Sequence, residues 1–120
     1  MADARPTRCW MPALVLAAAL AACAGGDTDG TSDVYASLDS LQCMGGGRSV
    51  AALQQELVVG GVQVLEASCG SDGLGHPAVC GAPDGRIAIF GVPSSQVARA
   101  GSLGFPSLDL LPRAQKAACP

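Results

Sequence analysis

Residues 86–92 read Arg86-Ile87-Ala88-Ile89-Phe90-Gly91-Val92. In an extended chain successive side chains point to opposite sides, so Ile87 and Ile89 face one way and Ala88 and Phe90 the other. A strand with two apolar faces is covered on both sides or lies near the centre of its sheet. Just before it stands the best hairpin signal in the chain, Ala82-Pro83-Asp84-Gly85-Arg86. Proline sets φ for a type I turn, Asp84 can bond back to the turn backbone, and Gly85 supplies a left-handed residue. This turn predicts a short strand at 77–81 paired with a longer one at 86–92.

Further toward the N-terminus, residues 70–75 are a glycine-rich loop and residues 62–69 are β-rich, starting directly after Gly60-Gly61. The latter read as a strand. Residues 49–58 place Val50, Leu53, Leu57 and Val58 on one side of a helix that the two glycines end. Residues 33–42 carry Val34, Leu38 and Leu41 at i, i+4 and i+7, which predicts another short helix with Ser32 as N-cap. Met44 and the glycines at 45–47 break it. On the other side, Pro93-Ser94-Ser95 opens a helix over 96–103 that Gly104 ends. The tail has prolines at 106 and 112, apolar Leu108, Leu110 and Leu111, and a helical turn expected within 112–120. The expectation is a small α+β domain of order α-α-β-β-β-α with a three-stranded antiparallel meander.

The chain has 120 residues, 7 basic against 10 acidic side chains and a net charge of −3, enough for one domain at most. Past the first ten residues the only cations are Arg48, Arg86, Arg99, Arg113 and Lys116, which form no basic face in the sequence and argue against a nucleic-acid partner. Hydrophobic residues make up 49% of the chain, but they are unevenly spread. Residues 13–22 are an unbroken apolar run, preceded by Arg5 and Arg8 and followed at once by Cys23. A positive start, a short apolar run and small residues at its end describe an export signal. The run is too short to span a bilayer core, which needs roughly 20 helical residues.

The last three residues of the run and the cysteine, Leu20-Ala21-Ala22-Cys23, resemble the lipobox of bacterial lipoproteins at every position. The resemblance covers residues 1–23 and implies that the Cys23 thiol receives a diacylglycerol. It further implies cleavage before Cys23 and acylation of the new amine, so that Cys9 and Trp10 leave with the signal peptide. Two or three acyl chains hold a protein durably on a membrane. The residue after the cysteine is Ala24 and not Asp, which in Gram-negative members of the family implies the outer membrane, facing the periplasm. The chain then divides into a signal peptide (1–22), a flexible Gly-, Thr- and Asp-rich tether (23–32) and a domain (33–120). Asp27, Asp29 and Asp33 with Gly30 lack the glycine and glutamate positions of a calcium loop and read as a solvated linker.

Four cysteines remain for the domain: Cys43, Cys69, Cys80 and Cys119. An even number in an exported chain reads as two disulfides, and a domain this small gains much from such staples. Three pairings can be drawn. Cys69–Cys80, on strands expected to be neighbours, is favoured, with Cys43–Cys119 left by elimination. There is no Cys-x-x-Cys, so a thioredoxin-like activity has no support. A metal set of Cys69, Asp72, His76 and Cys80 has no recognised zinc spacing, and no metal or other cofactor is expected.

His76 is the only histidine, so any Ser-His-Asp or Cys-His arrangement must use it. It shares a glycine-rich stretch with Ser71 and Asp72, yet no strained Gly-x-Ser-x-Gly turn is present. Glu56 and Glu66 fall on expected solvent faces. Gly45-Gly46-Gly47-Arg48-Ser49 lacks the lysine of a phosphate loop and reads as a connector. The segment 70–85, with Asp72 and His76, is the candidate binding loop. The chain therefore reads as an envelope lipoprotein whose domain binds or supports another envelope component without catalysis. The alternative is a small envelope enzyme or metal-binding protein that works through His76.

Overall fold

In a computed structural model of the chain, the residues described are 30–120. The export signal, Cys9, Cys23 and most of the expected tether lie outside them. Four strands form one antiparallel sheet: β1 (Thr31–Ser37), β2 (Glu66–Ser71), β3 (Arg86–Pro93) and β4 (Gln115–Ala117). Their order is β1-β3-β2-β4, which puts the predicted two-faced strand β3 in the interior of the sheet. Two helices accompany them, α1 (Val50–Val59) and α2 (Val97–Ser102), the second entered through a 3-10 turn at Ser94–Gln96. The domain is thus a mixed helix-and-sheet unit with two disulfides, and its element order is β-α-β-β-α-β.

The register explains the core. Val34 pairs with Phe90 and Ala36 with Ala88 on one side of β3, while Ala67 and Cys69 oppose the same two residues on the other. Residues directly opposite in a sheet share a face. Val34, Ala36, Ala88, Phe90 and Val92 therefore form one apolar layer, onto which α1 sets Leu53 and Leu57 and α2 sets Ala100. Phe105 closes the layer, its ring meeting Phe90 edge-on with centroids 5.9 Å apart. On the opposite face Ile87 and Ile89 are only 2% and 1% exposed. Ser107 bridges Val34 at the outer edge of β1, whereas Gln115 begins β4 at the far edge. Residues 108–114 join the two edges, with Arg113 packed against Gly73.

Four expectations are corrected. Residues 33–42 are not a helix: β1 starts at Thr31, inside the stretch assigned to the tether, and runs to Ser37. Val34, Ala36 and Leu38 are buried with more exposed residues between them, so the period is two and the i, i+4, i+7 match was incidental. Residues 77–81 are not a strand; the whole of 72–85 leaves the sheet, and β3 pairs with β2 instead. The strand expected at 62–69 sits later, at Glu66–Ser71, with Val62 buried but outside the sheet. The tail forms β4, not a helical turn. By contrast α1 lies within a residue of its expected position, with Ser49 as N-cap, its Oγ accepting from the Ala52 amide at 3.0 Å.

The disulfides are Cys43–Cys80 and Cys69–Cys119, which overturns the favoured pairing of Cys69 with Cys80. That pairing depended on the strand at 77–81. The Gln42 amide instead donates to the Ala82 carbonyl and the Gly81 amide to the Gln42 carbonyl, which brings Cys43 to Cys80. Cys69 lies opposite Ala117 in the β2–β4 register, and Cys119, two residues on, falls on the same face. The bridges close spans of 37 and 50 residues. On a chain-entropy account each then contributes about 4 kcal/mol.

Two glycines give a paired test. A Cβ on Gly70 would overlap the Gln115 carbonyl oxygen and come within 2.8 Å of Ile89 Cδ1, while one on Gly101 would meet nothing within 4 Å. Gly70→Ala should lower unfolding stability by roughly 1–3 kcal/mol through displacement of β4. Gly101→Ala, inside α2, should raise it by roughly 0.5–1 kcal/mol. Equal effects in chemical denaturation would contradict the close approach of β4 to Gly70.

Candidate functional site

β2 ends at Ser71, and the next residue, Asp72, begins the segment that returns to β3 at Arg86. The Asp72 amide donates to the Gly85 carbonyl at 2.9 Å, so the two ends of the segment are held together. Asp72 Oδ1 accepts from the Leu74 amide at 2.9 Å, a local turn that asparagine and aspartate favour. His76 Nε2 lies 2.8 and 3.0 Å from the two carboxylate oxygens of Asp72. An ionised carboxylate only accepts, so in a neutral ring the proton sits on Nε2 and Nδ1 carries the lone pair.

Gly85 makes this pair sterically permissible. A Cβ there would fall 2.5 Å from His76 Cδ2 and 2.7 Å from Nε2, and its φ of 78° is left-handed. The side chains of His76 and Asp72 are only 23% and 14% exposed, so the imidazole lies against the backbone of the turn. The sequence brought Asp72 and His76 forward as loop candidates; Gly85 was read only as a turn residue. Its second role follows from packing between segments nine residues apart, which no local pattern records.

A second polar cluster sits beside the first. Ser40, only 7% exposed, donates from Oγ to Asp84 Oδ1 at 2.8 Å, and the Arg86 amide donates to the same oxygen at 3.0 Å. Burial by itself pushes the Asp84 carboxyl upward. The hydrogen bonds from Arg86 and Ser40, with the Arg86 charge, outweigh it and leave the group below its ordinary value of 3.8. Beyond this cluster lies the exposed Cys43–Cys80 bridge, flanked by Met44 and Val79, which are 70% and 62% exposed.

The other candidates fall elsewhere. Cys69 and Cys80 belong to different disulfides, so the set Cys69, Asp72, His76 and Cys80 does not assemble as ligands. Among the described residues no three His, Cys, Asp or Glu side chains gather as a metal site. Ser71 ends β2 next to the segment, and the hydrogen bonds of the His76 Nε2 go to Asp72. Glu56 and Glu66 are exposed as expected, within 3.7 Å of Arg48 and 3.0 Å of Lys116. The Lys116 amine is held above its ordinary value, chiefly by its hydrogen bond to Glu66 and then by the charges of Asp33 and Glu66. Arg48 follows the three glycines, pairs with Asp39 at 3.3 Å and donates to the Ser37 carbonyl, so this stretch connects β1 to α1. Cys23 lies outside the described residues.

What the segment can do chemically is limited and specific. It presents an oriented imidazole beside a carboxylate on a loop tied to Cys43 by a disulfide, an arrangement suited to accepting one hydrogen bond. Compared with protein families, curated proteins and solved structures, the chain finds no match.

Asp84 supplies the pH dependence. A carboxyl whose folded value is depressed stabilises the fold above its unfolded pKa, and this contribution is lost as pH falls through the folded value. Wild-type protein should therefore lose stability below about pH 4, the unfolded carboxyl range. Asp84→Asn should be less stable at pH 7 and show a shallower acid limb in thermal melts. Parallel curves for the two proteins would contradict the role assigned to Ser40 and Arg86.

Proposed function

We propose that the chain is an exported bacterial envelope lipoprotein, anchored through lipid on Cys23, whose domain serves a non-catalytic binding or structural role. The lipobox Leu20-Ala21-Ala22-Cys23 carries this reading. The cysteine pattern supports it: Cys43, Cys69, Cys80 and Cys119 use one another up in two disulfides, so none is left to pair with Cys23. Disulfides of this kind fit an oxidising compartment outside the cytoplasm. Among the described residues no helix is long and apolar enough to cross a membrane, so attachment would depend on the acyl chains. The absence of Asp after Cys23 favours the outer membrane in a Gram-negative cell. The segment 72–85 is the surface on which an envelope protein partner would dock, because it is largely exposed, presents Leu74 and Val79 to solvent and is covalently fixed at Cys80.

The Asp72–His76 pair favours one second reading, a small envelope enzyme or metal-binding protein that works through the imidazole. It lacks an assigned nucleophile and a third ligand, and for that reason stands behind the first.

Metabolic labelling with palmitate tests the anchor. Wild-type protein should carry label and sediment with membranes, and Cys23→Ser should lose both properties; equal label in the two proteins would overturn the lipobox reading. His76→Ala separates the two functional readings. Under the first, metal content and envelope phenotype are unchanged, whereas loss of a bound metal or of a measurable activity would favour the second.

A further inference from the structure

The described domain has two different ends. The chain enters at Thr31, which pairs with Pro93 at the close of β3. At the same end the Ser32 hydroxyl meets Ser94 Oγ at 2.7 Å, and two residues on Gln96 Oε1 accepts from the Gln63 amide at 2.7 Å. Arg99 Nε donates to the Gly60 carbonyl at 2.8 Å. These contacts gather the start of β1, the C-terminal turn of α1 and the first turns of the 94–102 helical segment. The candidate segment 72–85 starts at the opposite end of β3, about 24 Å away along an eight-residue strand.

The entry end carries apolar side chains that the core does not use. Val59 is 77% exposed, Val58 51%, Leu65 48% and Leu103 36%. Val59 and Leu103 line one shallow groove with Ala52, Gly60, Gln55 and Glu56, and a Cβ on Gly60 would collide with the Leu103 methyls. Leu65 lies next to Gly91, to whose carbonyl its amide donates at 2.7 Å. The neighbouring charges are largely answered: Glu66 by Lys116, Glu56 by Arg48, with Asp33 and Arg99 of opposite sign. Such an end has no affinity for an anionic surface over a neutral one.

We infer that this end of the domain rests on the bilayer, with Val59 and Leu103 at its centre and Val58 and Leu65 beside them. The inference rests on lipidation of Cys23. Seven residues, 24–30, separate that cysteine from Thr31. Fully stretched they reach about 28 Å, and as a Gly-rich coil about 15 Å. A domain of this size is about 30 Å across. The relaxed reach of the tether is about half the width of the domain, so the entry end stays nearest the lipid surface. Apolar side chains at the headgroup boundary leave water there, while Gln55 and Glu56 of the same groove stay among the headgroups. The occupant is a zwitterionic lipid surface, and the segment 72–85 is directed away from it.

The only tryptophan, Trp10, lies in the signal peptide, so a tryptophan introduced into the domain would be the sole one in the mature protein. Full-length Val59→Trp and Val79→Trp proteins, produced in a bacterium and labelled with palmitate, would be reconstituted into phosphatidylcholine vesicles with or without brominated acyl chains. Val59→Trp should be blue-shifted relative to its Cys23→Ser counterpart and quenched by bromine; Val79→Trp should show neither effect. Labelled Val59→Trp that bromine does not quench overturns the docking while the anchor stands. A blue shift without quenching points to a protein contact and overturns it equally. Equal quenching at both positions removes the orientation. Absence of palmitate in either protein refutes the anchor and the docking together. Both sites are exposed, and intact disulfides in each variant verify that it has folded.

Discussion

The fold depends on covering both faces of β3. A strand whose alternate residues are Ile87, Ile89 and Ala88, Phe90, Val92 can be stable only if neither side meets water. The helix side is handled in the ordinary way, by α1 and α2 laying apolar residues on the layer. The other side has no helix. There the C-terminal stretch reaches the β2 edge, where the Gln115 carbonyl lies against Gly70 beside Ile89 Cδ1. That attachment is short, since β4 has three residues, all exposed. Two features secure it: the missing Cβ of Gly70, which lets Gln115 approach, and the Cys69–Cys119 bridge. The second staple is thus tied to the core although one of its cysteines lies on the surface, because Cys69 is buried opposite Ala88.

Elements whose periodicity agrees with burial were legible in the sequence. β3 was recognisable because both of its faces are apolar, and α1 because Leu53 and Leu57 repeat at helical spacing ahead of two glycines. β1 was misread because Val34 and Leu38 satisfy a helical and a strand period at once. The residue that decides between them is Ala36, small enough to be passed over as an anchor yet buried against Ala88. β4 was invisible because Gln115-Lys116-Ala117 has no β character of its own. Its conformation is imposed by β2, by Gly70 and by a bridge from Cys69. The cysteine count announced two staples correctly, but their partners followed from strand neighbours, and one wrong strand misassigned both bonds.

The candidate site shows the same division between local and distant information. Asp72 and His76 stood out because a lone histidine in a glycine-rich stretch is conspicuous, and the spacing of four brings them together through a turn at Leu74. Gly85 and Ser40 did not stand out. One owes its importance to an imidazole packed on its α-carbon, the other to a hydroxyl aimed at Asp84 from a segment 44 residues away. Such roles arise when loops meet, and loops carry no period from which a meeting could be read.

The two ends of the domain are consequently held by different physics. Near Thr31 the chain is fixed by backbone pairing of β1 with β3 and by packing of Leu57, Ala100 and Phe105, contributions that are apolar and cooperative with the core. The segment 72–85 contributes no residue to that core. It is fixed instead by the Cys43–Cys80 bond, by the Gln42–Ala82 and Asp72–Gly85 backbone bonds, and by the carboxylates of Asp72 and Asp84. Covalent and polar restraints of this kind define a shape without binding it to the packing of the interior. Side chains on that surface, Leu74 and Val79 among them, can therefore differ or engage a partner without disturbing the layer around Phe90. A change at β4 has less freedom, because β4 is held to β2 against Gly70, whose neighbour Ile89 is part of the buried face of β3.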